Sequence, residues 1–142
     1  MAIIADSGAV YGLYDLRDAS HTRLRKAVET ERDLIVLPAP TLGEIDYLLR
    51  SRLGNTALLH FLADVQEGAF AIESMTMADV RRCAALIEKY RDLDLGLADA
   101  SVVALAERLG TDRILTVDQR DFRVLRSARG KPFRLLPADP RR

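Results

Sequence analysis

Arg113-Ile114-Leu115-Thr116-Val117-Asp118 sets an apolar run directly ahead of an acid, and Ala2-Ile3-Ile4-Ala5-Asp6 does the same at the start of the chain. Both read as short buried strands ending on a carboxylate. A third run, Leu34-Ile35-Val36-Leu37, is stopped by Pro38 and Pro40; Phe70-Ala71-Ile72 is a weaker strand, and Phe133–Leu136 closes the series. Helical periodicity fills the intervals. Strands that alternate with helices, and are apolar throughout, mark a parallel sheet covered on both faces. The expected class is α/β: an α/β/α sandwich around a central, mainly parallel sheet of four to five strands, in one domain over residues 1–142.

The helices carry their own punctuation. Asp6-Ser7-Gly8 turns the first strand into a helix. Asp18 and Ser20 are candidate N-caps for a helix over about 20–31, with Leu24, Ala27 and Val28 inward. Pro40 or Thr41 opens a helix whose stripe is Leu42, Ile45, Leu48, Leu49 and Leu53. Gly54-Asn55 breaks it, and Leu58, Leu59, Leu62 and Val65 mark the next, which Gly68 stops. Thr76 caps a helix to about Tyr90 with Val80, Cys83, Ala84 and Ile87 as its inner face. Leu97–Leu109 is closed by Gly110, and a short helix runs to Leu125.

Composition narrows the classes. With 49% hydrophobic and 30% charged residues the chain can bury a core and remain soluble. Its single cysteine, Cys83, rules out an intrachain disulfide and a cysteine zinc cluster. No apolar run is long enough to span a membrane. The opening Met-Ala-Ile-Ile-Ala-Asp lacks the features of a signal peptide, so a cytoplasmic location is expected. The formal net charge is zero but uneven. Residues 119–142 hold eight Lys and Arg against Asp121 and Asp139, a net +6, which leaves −6 on residues 1–118. A basic end beside an acidic body suggests an anionic partner; a solvated tail is the plainer reading.

Four acids, Asp6, Glu44, Asp99 and Asp118, fall at one edge of such a sheet. Every parallel strand ends there and every following helix starts there. Asp6 and Asp118 follow strands; Glu44 and Asp99 lie in the first turns of helices. Open α/β sheets place their ligands on that rim. Adjacency across the rim depends on strand order. Each acid also has a simpler role open to it: Asp6 and Asp118 as helix N-caps, Asp99 at the positive end of its helix dipole, Glu44 as a surface residue. Two carboxylates about 4 Å apart repel by roughly 4 kcal/mol at an effective dielectric near 20. Four together need a cation or bound protons, and an all-oxygen ligand set without Cys or His favours Mg²⁺ or Mn²⁺.

With these residues in place, the chain resembles the PIN-domain ribonucleases, specifically the VapC-type toxins of type II toxin–antitoxin systems. The likeness is carried by Ile3-Ile4-Ala5-Asp6-Ser7, Pro40-Thr41-Leu42-Gly43-Glu44-Ile45, Leu97-Ala98-Asp99-Ala100 and Leu115-Thr116-Val117-Asp118-Gln119-Arg120-Asp121-Phe122. It implies a Mg²⁺- or Mn²⁺-dependent endoribonuclease that hydrolyses RNA phosphodiesters with metal-activated water and forms no covalent intermediate. It also implies a homodimer, extending to a larger toxin–antitoxin assembly, silenced by a VapB-type antitoxin. By the same resemblance Asp6, Asp99 and Asp118 hold the metal and Glu44 completes the site. Asp46, Asp94 and Asp121 are alternatives for the fourth ligand. Ser7 and Thr116 match hydroxyl residues that orient carboxylates, with ordinary turn and cap roles also open. Arg120, Arg123 and Arg17 are candidates for phosphate contacts, and the helix Leu58–Val65 with its neighbour for antitoxin docking.

Other readings compete. A non-toxin PIN nuclease of RNA processing would share the chemistry. A receiver or haloacid-dehalogenase-like phosphotransferase also places an Asp after its first strand. Asp6-Ser7-Gly8 lacks the second Asp of the latter, however, and no lysine directly follows the 113–117 strand. A catalytically inactive RNA-binding module is the third. His21 and His60 lack metal-ligand spacing. Tyr11, Tyr14, Phe61 and Phe122 read as packing residues, with base stacking or a dimer interface as the alternative.

Overall fold

The computed structural model describes residues 1–139. Arg141 and Arg142, part of the basic end, lie outside the described residues. The strands are β1 (Ala2–Ala5), β2 (Leu34–Pro38), β3 (Phe70–Glu73), β4 (Arg113–Leu115) and β5 (Arg134–Leu136). The helices are α1 (Ser7–Tyr14), α2 (His21–Glu31), α3 (Thr41–Leu53), α4 (Asn55–Gln66), α5 (Met77–Lys89), α6 (Leu97–Arg108) and α7 (Gln119–Val124), with a 3-10 turn at Arg91–Leu93. All strand pairs are parallel, in the order β3-β2-β1-β4-β5. This is the expected sandwich, with five strands.

Side-chain alternation along each strand divides the core. Ile4, Val36, Ile114 and Leu135 point to one face, where α5, α6 and α7 cover them with Cys83, Leu86, Val102, Val103 and Phe122. Ile3, Ala5, Ile35, Leu37, Leu115 and Leu136 point to the other, under α1 to α4 with Val10, Leu24, Ile45, Leu49 and Phe61. Both faces are buried under helices, so the strands read as unbroken apolar runs. Gly12 lets α1 and α2 cross closely: a Cβ there would sit 2.5 Å from Leu24 Cδ1.

Several details depart from the periodic reading. The α5 stripe is Asp79, Cys83 and Leu86, while Val80 and Ala84 face solvent. A capping box causes the rotation. Thr76 Oγ1 accepts from the Asp79 N–H at 3.1 Å, and Asp79 Oδ2 accepts from the Thr76 N–H at 2.9 Å. This turns Asp79 inward, where Arg108 meets it at 3.1 Å. On α4 the buried residue is Phe61, packed with Tyr14 and Phe70 at ring separations of 5.9 and 5.6 Å, while Leu59 and Leu62 are exposed. Tyr11, Phe61 and Phe122 are core residues rather than stacking platforms. Ser20 occupies the cap of α2 without a side-chain bond; Asp18 Oδ1 accepts from the Ser20 N–H instead. Strand β4 ends at Leu115, although the Thr116 N–H still donates to Leu136 O at 2.9 Å.

Candidate active site

Strand order decides which acids are neighbours. From β1 the chain passes outward to β2 and β3, then returns to place β4 and β5 on the other side of β1. The connections diverge between β1 and β4, and a crevice opens there at the strands' carboxyl ends. Asp6 follows β1 and Asp118 follows β4, so the two acids flank that switch point. Glu44 enters from the first turn of α3, and Asp99 from the first turn of α6 on the opposite face.

Asp6 is 5% exposed. Its Oδ1 accepts from the Ala9 N–H at 2.8 Å, which caps α1, and its Oδ2 accepts from the Thr116 hydroxyl. Thr116 Oγ1 also accepts from the Asp118 N–H at 2.9 Å, so one buried hydroxyl joins the two acids across the crevice. Ser7 Oγ donates to Glu44 Oε2 at 2.6 Å. Asp118 caps α7, accepting from the Asp121 N–H at 3.4 Å. The two expected hydroxyls thus contact site carboxylates. Capping and membership of the acidic cluster coexist at Asp6 and Asp118.

The acids feel one another. Burial pushes the Asp6 carboxyl up to about 7; the bonds from Thr116 and Ala9 oppose this, and the charges of Asp99 and Asp118 add to it. Burial, joined by the charges of Glu44, Asp118 and Asp121, raises Asp99 to about 6. Asp121 therefore belongs to the same field. Asp46 does not: Arg50 binds it at 2.7 Å and holds it below the usual carboxylate range. Asp94 caps the 3-10 turn with φ 50°.

These residues share a field but do not form a closed cage. Among the described residues, no three His, Cys, Asp or Glu side chains converge to hold an ion as they stand. Asp6, Glu44 and Asp118 are each held by a donor of their own. The donor set still suits a hard divalent cation. It is all carboxylate, partly desolvated at Asp6 and Asp99, and among the described residues no cation is paired with these acids. Among the described residues the other carboxylates sunk as deeply, Asp79 and Glu31, each contact arginine.

Of the arginines expected near the site, Arg123 is bound by Asp139 at 2.7 Å. Arg17 and Arg120 are exposed. Sequence reasoning did not find Arg23 and Lys26 of α2, which line a cavity beside β5. Basic residues three apart on a polar helix face carry no signal without their neighbours.

A parallel α/β sandwich with carboxylates from four elements at its switch point is the arrangement of a PIN domain. Residues 3–127 match the PIN domain family, and the chain belongs to it. It is 32% identical to Ribonuclease VapC26 of Mycobacterium tuberculosis over 135 residues, which is 95% of this chain and all of that protein. Two solved structures share the fold. VapC20 of M. tuberculosis, a sarcin-ricin loop cleaving toxin, superposes with a TM-score of 0.72 at 19% identity, covering 79% of this chain and 86% of that one. VapBC2 of Rickettsia felis, bound to a promoter DNA fragment, gives 0.68 at 11% identity, covering 95% and 98%. No helix of the described residues is long and apolar enough to cross a membrane.

Proposed function

We propose that the chain, acting as one PIN domain, is the toxin of a VapBC-type pair: an endoribonuclease that hydrolyses RNA phosphodiesters and is silenced by a VapB-type antitoxin. The observation that carries the chemistry is Asp6, a desolvated carboxylate that feels the charges of Asp99 and Asp118 and has hydroxyl and amide donors but, among the described residues, no cation. Asp6, Asp99 and Asp118 would hold a divalent cation, Mg²⁺ or Mn²⁺, with Glu44 completing the set. When bound, that cation supplies neutralisation of the acids and of the scissile phosphate, and lowers the pKa of water. The chain's own residues do the positioning. Thr116 fixes Asp6 and the Asp118 backbone, Ser7 fixes Glu44, and Asp121 adds to the field at Asp99.

The relationship to a VapC ribonuclease supports the toxin reading. Exposed Tyr47, Leu59 and Leu62 on α3 and α4 supply apolar surface for an antitoxin segment. We further propose a homodimer in the reducing cytoplasm, where buried Cys83 stays a thiol. The deciding experiment is cleavage of structured RNAs with Mg²⁺ or Mn²⁺ by wild type, Asp6→Asn and Asp99→Asn. Each substitution is expected to lower the rate by at least about 100-fold, since even groups one bond removed from a metal cost 10–100-fold. Equal cleavage by all three proteins would remove the assignment.

A further inference from the structure

A cavity of about 350 Å³ lies between α2 and the chain around and after β5, lined by Arg23, Lys26, Glu31, Arg134, Leu136 and Pro137 among others. Its position ties it to the acidic rim. Leu136 in its wall accepts the Thr116 N–H, and the Thr116 hydroxyl holds Asp6. One strand therefore separates the cavity's upper end from the crevice. Its lower end is the strand-start edge, where Arg134 binds Glu31 at 2.6 Å and Arg113 binds the same carboxylate at 3.0 Å. The cavity's lining thus extends along β5, from Arg134 at its start to Leu136 at its end.

Its charge is set against that of the rim. The carboxylates lining it are Glu31, engaged by two arginines, and Asp139, bound by Arg123. Arg23 and Lys26 are exposed and have no ion-pair partner among the described residues. They stand three residues apart on α2, which makes them neighbours on one helix face. An RNA strand crossing four carboxylates is repelled there, so cations beside the crossing must hold it.

We propose that this groove is a phosphate-binding track for the RNA strand where it leaves the acidic rim, with Arg23 and Lys26 contacting successive phosphates. The proposal rests on the ribonuclease reading and assigns to that site the direction in which its substrate runs.

The test uses the full chain with Arg23→Ala and Lys26→Ala combined. Both side chains are exposed, and an unchanged melting temperature confirms folding. Binding of a fluorescent single-stranded RNA is followed in EDTA across a salt series. Losing two phosphate contacts should reduce the slope of log K against log[salt] by about 1.4. With divalent cation, KM for a long RNA should rise several-fold at unchanged kcat, while cleavage of an oligonucleotide too short to reach the groove stays as in wild type. An unchanged slope overturns the track, including the case in which only antitoxin binding is lost. A kcat effect equal on long and short substrates also overturns it. Wild-type protein that binds RNA with this salt dependence but never cuts it removes the nuclease reading and leaves the track standing.

Discussion

Asp6→Asn should make the metal-free protein more stable at neutral pH while abolishing cleavage. The site predicts this because Asp6 is desolvated and faces two other acids. A carboxyl raised from 3.8 to about 7 disfavours the charged folded form by about 4 kcal/mol, at 1.36 kcal/mol per tenfold in proton affinity. The sign follows from proton uptake. Between these values the folded state binds more protons at Asp6 than the unfolded state does. Stability from this group is therefore full below about pH 4 and is lost as pH rises through 7. Asparagine removes the titration but keeps a side-chain oxygen to cap the Ala9 N–H. Water entering the rim reduces the gain, so urea unfolding in EDTA near pH 8 should show the variant about 2–4 kcal/mol more stable than wild type. The difference should shrink toward zero near pH 4. Adding Mg²⁺ at 100 times its dissociation constant should stabilise wild type by about 2.7 kcal/mol and the variant by much less. A variant no more stable than wild type near pH 8 in EDTA would refute the view that Asp6 is held charged at a cost.

Other substitutions separate the supports of the site. Thr116→Val removes the hydroxyl that serves both Asp6 and the Asp118 N–H; it should cost about 2 kcal/mol by urea titration and move the acid limb of the cleavage profile to higher pH. Ser7→Ala frees Glu44 and should weaken cation binding about 10–100-fold by calorimetry, with stability changed by less than about 1 kcal/mol. Arg108→Ala strands buried Asp79 and should cost about 3 kcal/mol in unfolding, while the folded protein cuts RNA at the wild-type rate.

The rim was legible because strand ends and helix starts fall on one edge of a parallel sheet whatever the strand order. Asp6 and Asp118 needed only the apolar runs before them. Their adjacency was not legible, since it arises from β4 lying beside β1, a pairing of residues 4 and 114 that no local pattern encodes. The α5 stripe was misread by one position because apolar periodicity cannot show a capping box turning Asp79 inward onto an arginine 29 residues away. Leu58, Leu59, Leu62 and Val65 marked α4 alike, and nothing local separates the exposed pair, Leu59 and Leu62, from the other two. Phe61 takes the buried place because Tyr14 and Phe70, from distant segments, form its pocket. The partnerships of Ser7 with Glu44 and of Thr116 with Asp6 span 37 and 110 residues; residue type suggested them and tertiary structure sets them.

The two edges of the sheet act as an internal comparison for the site. At the strand-start edge Arg113 binds both Glu31 and Asp33, Arg134 takes the second oxygen of Glu31, and the N-terminal amine lies 3.6 Å from Asp33. There the fold places a cation against each acid and joins β1, β2, β4 and β5 in doing so. On the flanks, Arg82 with Glu107 and Arg108 with Asp79 repeat the pattern. At Asp6, Glu44 and Asp118 the partners among the described residues are instead hydroxyls and backbone amides, which hold carboxylates in place without neutralising them. Arginine is abundant in this protein, yet among the described residues none is paired with Asp6. A fixed guanidinium there would stabilise the fold and occupy the position a divalent cation needs. The rim keeps its repulsion, which a bound divalent cation would relieve more fully than a monovalent one.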